Sequence, residues 1–97
     1  MKVPEWKKKE NKDSKDFGGR KSRGSGNYWA QPGDIKAKNF LIDSKYTKHK
    51  SFSISIEDWE KISDEALFSF RLPLLSIKMQ DTEVVVLSKE DFLNLIK

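Results

Sequence analysis

Val3, Trp6 and Phe17 are the few apolar anchors of a polar opening stretch, whereas from Ile35 onward apolar residues recur in short, regular patterns. A helix opening at Pro4, a residue suited to the first turn, places Glu10, Asp13 and Phe17 on one face. Lys38 and Asn39 suit a two-residue hairpin turn between Ala37 and Phe40, because asparagine tolerates the positive φ that such turns need. In that register Lys36 faces Leu41, Ile35 faces Ile42 and Asp34 faces Asp43. Phe52, Ile54 and Ile56 then alternate. Ser55 caps a second helix with Asp58 three residues on, and Ile54 can pack on Trp59 as a hydrophobic staple. Trp59, Ile62, Ala66 and Phe70 form its apolar stripe, with Glu57, Asp58, Glu60 and Asp64 outside. Pro73 separates this helix from LLSIKM (residues 74–79), and a QDT turn leads to EVVVL (residues 83–87). Both have strand composition. Ser88 caps a last short helix with Phe92, Leu93 and Ile96 on its inner side. The order is helix, strand hairpin, helix, two strands, helix, which predicts an α/β sandwich: a small central mixed sheet flanked by helices.

Ninety-seven residues make one domain with one modest core. Charged residues are 35% of the chain and apolar ones 36%, a balance that favours help from a second copy. Cysteine is absent, which removes disulfides and thiolate metal sites and fits a cytoplasmic setting. No apolar run approaches the ~18 residues of a membrane span, and the N-terminus lacks the apolar core of a signal peptide.

Charge changes the picture most. Residues 1–50 hold 14 Lys or Arg against 6 Asp or Glu, net +8, and residues 51–97 hold 5 against 9, net −4. A basic half suits a polyanionic partner such as DNA. The plainer reading of residues 1–9 is a solvated lysine tail. Between the first helix and the hairpin, residues 18–32 form a loop rich in glycine and serine, of the kind that lets backbone approach phosphate. Arg20, Lys21 and Arg23 stand there beside Tyr28 and Trp29, cations with flat rings, and are the candidate phosphate contacts together with Ser25. His49, the only histidine, stands in a lysine-rich turn and is read as inert.

The hairpin carries the candidate chemistry. Directly opposed residues of an antiparallel pair have Cβ atoms only about 4.5–5.5 Å apart, and like charges so placed repel. Asp34 opposite Asp43 therefore calls for a cation. Mg²⁺ fits, since it is usually held by one or two carboxylates plus waters and substrate phosphate. Side-chain alternation puts Leu41, Asp43 and Lys45 on one face and Ile42, Ser44 and Tyr46 on the other, which sets Lys45 beside the metal.

Asp34, followed after a short hairpin by Asp43, Ser44 and Lys45, resembles the active site of the PD-(D/E)XK nuclease superfamily. The flanking text is similar to its small phage and archaeal Holliday junction resolvases: upstream Glu10, FGGR (residues 17–20), GSG (residues 24–26), Gly33 with Asp34, FLIDSKYT (Phe40–Thr47) and EDWEKI (residues 57–62). Asp43 stands where those resolvases more often carry Glu. The resemblance implies a restriction-endonuclease-like fold and a homodimeric DNA endonuclease dependent on Mg²⁺, with Mn²⁺ as a substitute. Four-way junctions would be its substrate and the cytoplasm, a host's if phage-encoded, its location. It implies Asp34, Asp43, Lys45 and Glu10 as catalytic residues, with Asp34, Asp43, Glu10 and the Ser44 carbonyl around the metal. A basic nucleic-acid-binding domain without chemistry stays open, as does a related nuclease acting on duplex or single-stranded DNA.

Overall fold

A computed structural model describes residues 3–21 and 34–97, which form α1 (Glu5–Asp16), β1 (Arg20–Lys21), β2 (Asp34–Lys36), β3 (Phe40–Thr47), α2 (Ile56–Phe68), β4 (Leu72–Met79), β5 (Thr82–Val86) and α3 (Lys89–Leu95). The five strands form one sheet in the order β1-β2-β3-β4-β5. All neighbours are antiparallel except β3 and β4, which run parallel across the α2 crossover. A parallel pair needs such a connection, because the chain leaves β3 at one end of the strands and must enter β4 at the other. The architecture is α/β with a mixed sheet, as the hydrophobic pattern predicts.

The hairpin forms in the predicted register: Asp34 pairs with Asp43, Ile35 with Ile42, and Lys36 with Leu41. Ala37 N–H donates to the Phe40 carbonyl at 2.9 Å and closes the two-residue turn. Ile35 and Ile42 are wholly buried with Ala37 and Leu74, and half-buried Phe17 and Phe40 pack around them. On the opposite face, Leu75 and Ile77 of β4 meet Ile62 of α2, joined by Phe52, Trp59, Met79, Val84 and Val86. The sheet is thus covered by α1 on one side and α2 on the other. Fully burying an isoleucine contributes about 1.5–3 kcal/mol, so these two small clusters carry the stability of the sandwich.

Several elements differ from the pattern. The helix opens after Pro4 as predicted, so residues 5–9 belong to α1 and are not a solvated tail, and Lys9 is only 4% exposed. Arg20 and Lys21 lie in β1 rather than a loop and pair with Lys36 and Ile35. Two glycines bring the chain there: Gly18 turns out of α1 at φ +64°, and a Cβ on Gly19 would stand 2.6 Å from the Ile35 side chain. Pro73 is inside β4, paired with Leu41. It is tolerated because β5 pairs only from Leu75 onward, so no ladder bond to β5 is lost there.

Phe70 is not part of the apolar stripe. The helix ends at Phe68, and Phe70 sits at φ 57°, 96% exposed. Its N–H bonds the Leu67 carbonyl while Arg71 N–H bonds that of Ala66, a left-handed cap that satisfies the last carbonyls of the helix. Nor do Phe92, Leu93 and Ile96 face inward: α3 has no buried residue, and the three are 41–63% exposed. Both predicted serine caps do form, Ser55 accepting from Asp58 N–H and Ser88 from Asp91 N–H, each at 3.1 Å. Ile54 remains 41% exposed beside the first of them.

Candidate active site

Strand β3 is the centre of the sheet and carries the candidate chemistry on its α2 side. Asp43 and Lys45 project there, next to Leu75 and Ile77, their register partners in β4. Lys45 Nζ stands 3.4 Å from Asp43 Oδ2, and the two side chains keep only 19% and 20% of their exposure. Asp43 Oδ1 is buried with no hydrogen-bond partner among the described residues. A buried carboxylate oxygen left unsatisfied is costly, of order 1–3 kcal/mol or more for a charged group, and such atoms in native folds call for an explanation.

Electrostatics repeat the point. Burial pushes the Asp43 carboxyl above its ordinary value of 3.8; Lys45 pulls it back in part, and the more distant α2 charges oppose one another, Glu65 raising it and Lys61 lowering it. The site thus holds a carboxylate that is short of positive charge although a lysine already touches it. A hard cation at Oδ1 would supply the missing partner. On its other side Asp43 pairs with Asp34 across the hairpin, as the predicted register requires; for Asp34 the structure describes the backbone alone. Among the described residues no group of three or more acidic, histidine or cysteine side chains could hold a metal. A cation here would be an aspartate-pair site of the Mg²⁺ kind, completed by water and substrate oxygens. The residues present fit that group.

The remaining candidates are spread more widely. Ser44, between Asp43 and Lys45, turns its side chain to the α1 face, where Oγ donates to Asp13 Oδ2 at 2.6 Å. Glu10 is 1% exposed on α1, the helix that covers this same face. It approaches the sheet from the side opposite Asp43 and Lys45, so the structure does not gather it with them. Arg20 is exposed on β1, beside exposed Lys36 of β2, a pair of cations near the hairpin that bears Asp34. Lys21 is placed by its backbone alone. Arg23 and Ser25, with Tyr28 and Trp29, lie outside the described residues. His49 is exposed, and its backbone N–H bonds Thr47 Oγ1.

Sequence reasoning missed the buried partners of Ser44. Lys9 Nζ donates to Asp13 Oδ2 and, at 2.8 Å, to Ser76 Oγ. The available signal was the i, i+4 spacing of Lys9 and Asp13, hidden by the polarity of everything around it. A further tie between α1 and the sheet is the ion pair of Lys12 with Glu83 of β5.

No family model matches the chain, and no curated protein and no solved structure matches it either.

Proposed function

We propose that this chain is a metal-dependent DNA endonuclease with a restriction-endonuclease-like fold, of the PD-(D/E)XK kind that its sequence resembles. Holliday junctions are its favoured substrate. The observation that carries the reading is the unpartnered, buried Oδ1 of Asp43, on a strand that pairs Asp43 with Asp34 and sets Lys45 on the same face. A scaffold has no use for opposed aspartates; a site that grips Mg²⁺ does.

Asp34 and Asp43 would hold the ion, Mn²⁺ serving in its place, with the Ser44 carbonyl a further ligand as the resemblance implies. When bound, such an ion offsets the charge of the scissile phosphate and lowers the pKa of water at the site. Lys45 orients the attacking water or donates to the phosphate as charge builds there. The strand backbone holds its long, flexible stem in place. Leu75 and Ile77 dry the floor beneath the pair, which strengthens its electrostatics. Glu10 is assigned no part in the reaction. Arg20 draws the DNA backbone toward the hairpin, joined in the sequence by Lys21, Arg23 and Ser25. One site per chain implies a two-fold homodimer for symmetric cutting of a junction.

The test is incubation of a four-way junction, a linear duplex and a single strand with the chain, with Mg²⁺ and with chelator. Metal-dependent cleavage, strongest on the junction and abolished in Asp43→Ala, is the expected result. The basic first half of the chain favours a second reading, binding without chemistry. Binding of all three DNAs with no cleavage under any metal would establish that reading instead.

A further inference from the structure

Beneath α1 lies a buried polar network that the proposed cutting reaction does not use. Lys9, Asp13, Ser44 and Ser76 are 4%, 2%, 1% and 4% exposed. One carboxylate oxygen, Asp13 Oδ2, accepts from both Lys9 Nζ and Ser44 Oγ, and the same ammonium also donates to Ser76 Oγ. Ser44 and Ser76 are register partners on β3 and β4. One ion pair on a single helix thus clamps the two parallel strands at the same level of the sheet.

That level is where the candidate chemistry sits. Ser44 separates Asp43 from Lys45, and successive side chains leave a strand on opposite sides. Fixing the Ser44 side chain against α1 therefore fixes how its two neighbours leave the other face. Space-filling does not explain the choice of residues. Apolar side chains of similar volume replace a buried ion pair at little or no loss of stability, and the core beside this network is built from them. A carboxylate and an ammonium give what apolar packing does not, direction.

We propose that Lys9 and Asp13 are positioning residues, which act through Ser44 to hold β3 in the orientation that lets Asp43 bind a divalent cation beside Lys45. This rests on the nuclease reading above. Groups that orient metal ligands from outside the coordination sphere typically change metal affinity 10–100-fold, and the network stands one residue from the ligand it would orient.

The experiment uses Mn²⁺ as probe, its binding to the full chain followed by paramagnetic resonance, with circular dichroism and thermal melting as the check on folding. Two variants are compared with the unmodified chain: Ser44→Ala, and the paired swap Lys9→Met with Asp13→Leu. The swap should still fold, because it removes both charges together, though it melts lower than the parent since the Ser44 and Ser76 hydroxyls lose these partners, and it should bind Mn²⁺ about tenfold more weakly. Ser44→Ala should weaken binding to a similar extent, and adding it to the swap should weaken it no further, since both break one link. A folded swap with parental affinity overturns the proposal, as do losses that multiply when combined. Should the swap not fold, Ser44→Ala decides, because it deletes one oxygen and leaves Lys9 paired with Asp13; unchanged affinity there overturns the proposal. Absence of Mn²⁺ binding by the unmodified chain overturns the nuclease reading and this proposal together, and is seen before any substitution is made.

Discussion

At the scale of single residues, Asp43 is held against its own preference. Its folded carboxyl is raised by burial, which means that the charged form is disfavoured in the fold relative to the unfolded chain. The sign of the linkage follows. Any stability that Asp43 contributes is present below its unfolded value and is lost as pH rises through the raised folded value. Asp43→Asn removes that loss. The variant should therefore be more stable than the parent at neutral pH, by about 1 kcal/mol, the usual scale for relieving one functional position. Urea unfolding at several pH values checks this: the gap should open as pH climbs above about 4 and become constant once Asp43 is ionised in the fold. The same variant should lose cleavage. Loss of cleavage together with a gain in stability would mark Asp43 as a residue kept for function at a cost to the fold.

Elements show where sequence pattern speaks and where it is silent. The hairpin was legible to the residue, because its register follows from one turn and from the burial of Ile35 opposite Ile42. The serine caps were legible for the same local reason. The first helix was legible in its start at Pro4 and in the shared face of Glu10, Asp13 and Phe17, but not in what it buries, since Lys9, Glu10 and Asp13 take the place of an apolar stripe; hydrophobic periodicity cannot show that a charged face is the inner one. The end of α2 misled in the other direction. Phe70 continues the helical spacing of Trp59, Ile62 and Ala66, but the backbone has already turned left-handed. The cap of α1 has the same hydrogen-bond pattern, Gly19 to Ser14 and Gly18 to Lys15, with glycine in the left-handed position. A bulky residue there costs roughly 1–2 kcal/mol. Phe70→Gly should therefore stabilise the protein by about 1 kcal/mol, because the 96% exposed ring has almost no burial to lose. A rise in the urea midpoint at unchanged slope is the expected readout.

For the whole molecule, the α/β class and the mixed sheet followed from the order of periodicities, but two features did not. The charge asymmetry suits a polyanion without saying which face would meet it, and α3 with its exposed Phe92, Leu93 and Ile96 gained no core to cover it. Among the described residues, no helix is long and apolar enough to cross a membrane. If the basic half receives DNA, Arg20→Ala should weaken binding to every DNA alike and reduce the slope of log affinity against log salt by about one unit. Equilibrium binding at four or more salt concentrations measures that slope. A divalent ion bound by the aspartates that face each other across the hairpin is the feature on which cleavage would depend. Calorimetric titration of the chain with Mn²⁺ measures this without any DNA. Saturable heat of binding in the parent, lost in Asp43→Ala although the variant remains folded, is the predicted result; the same heat in both, or none in the parent, would contradict it.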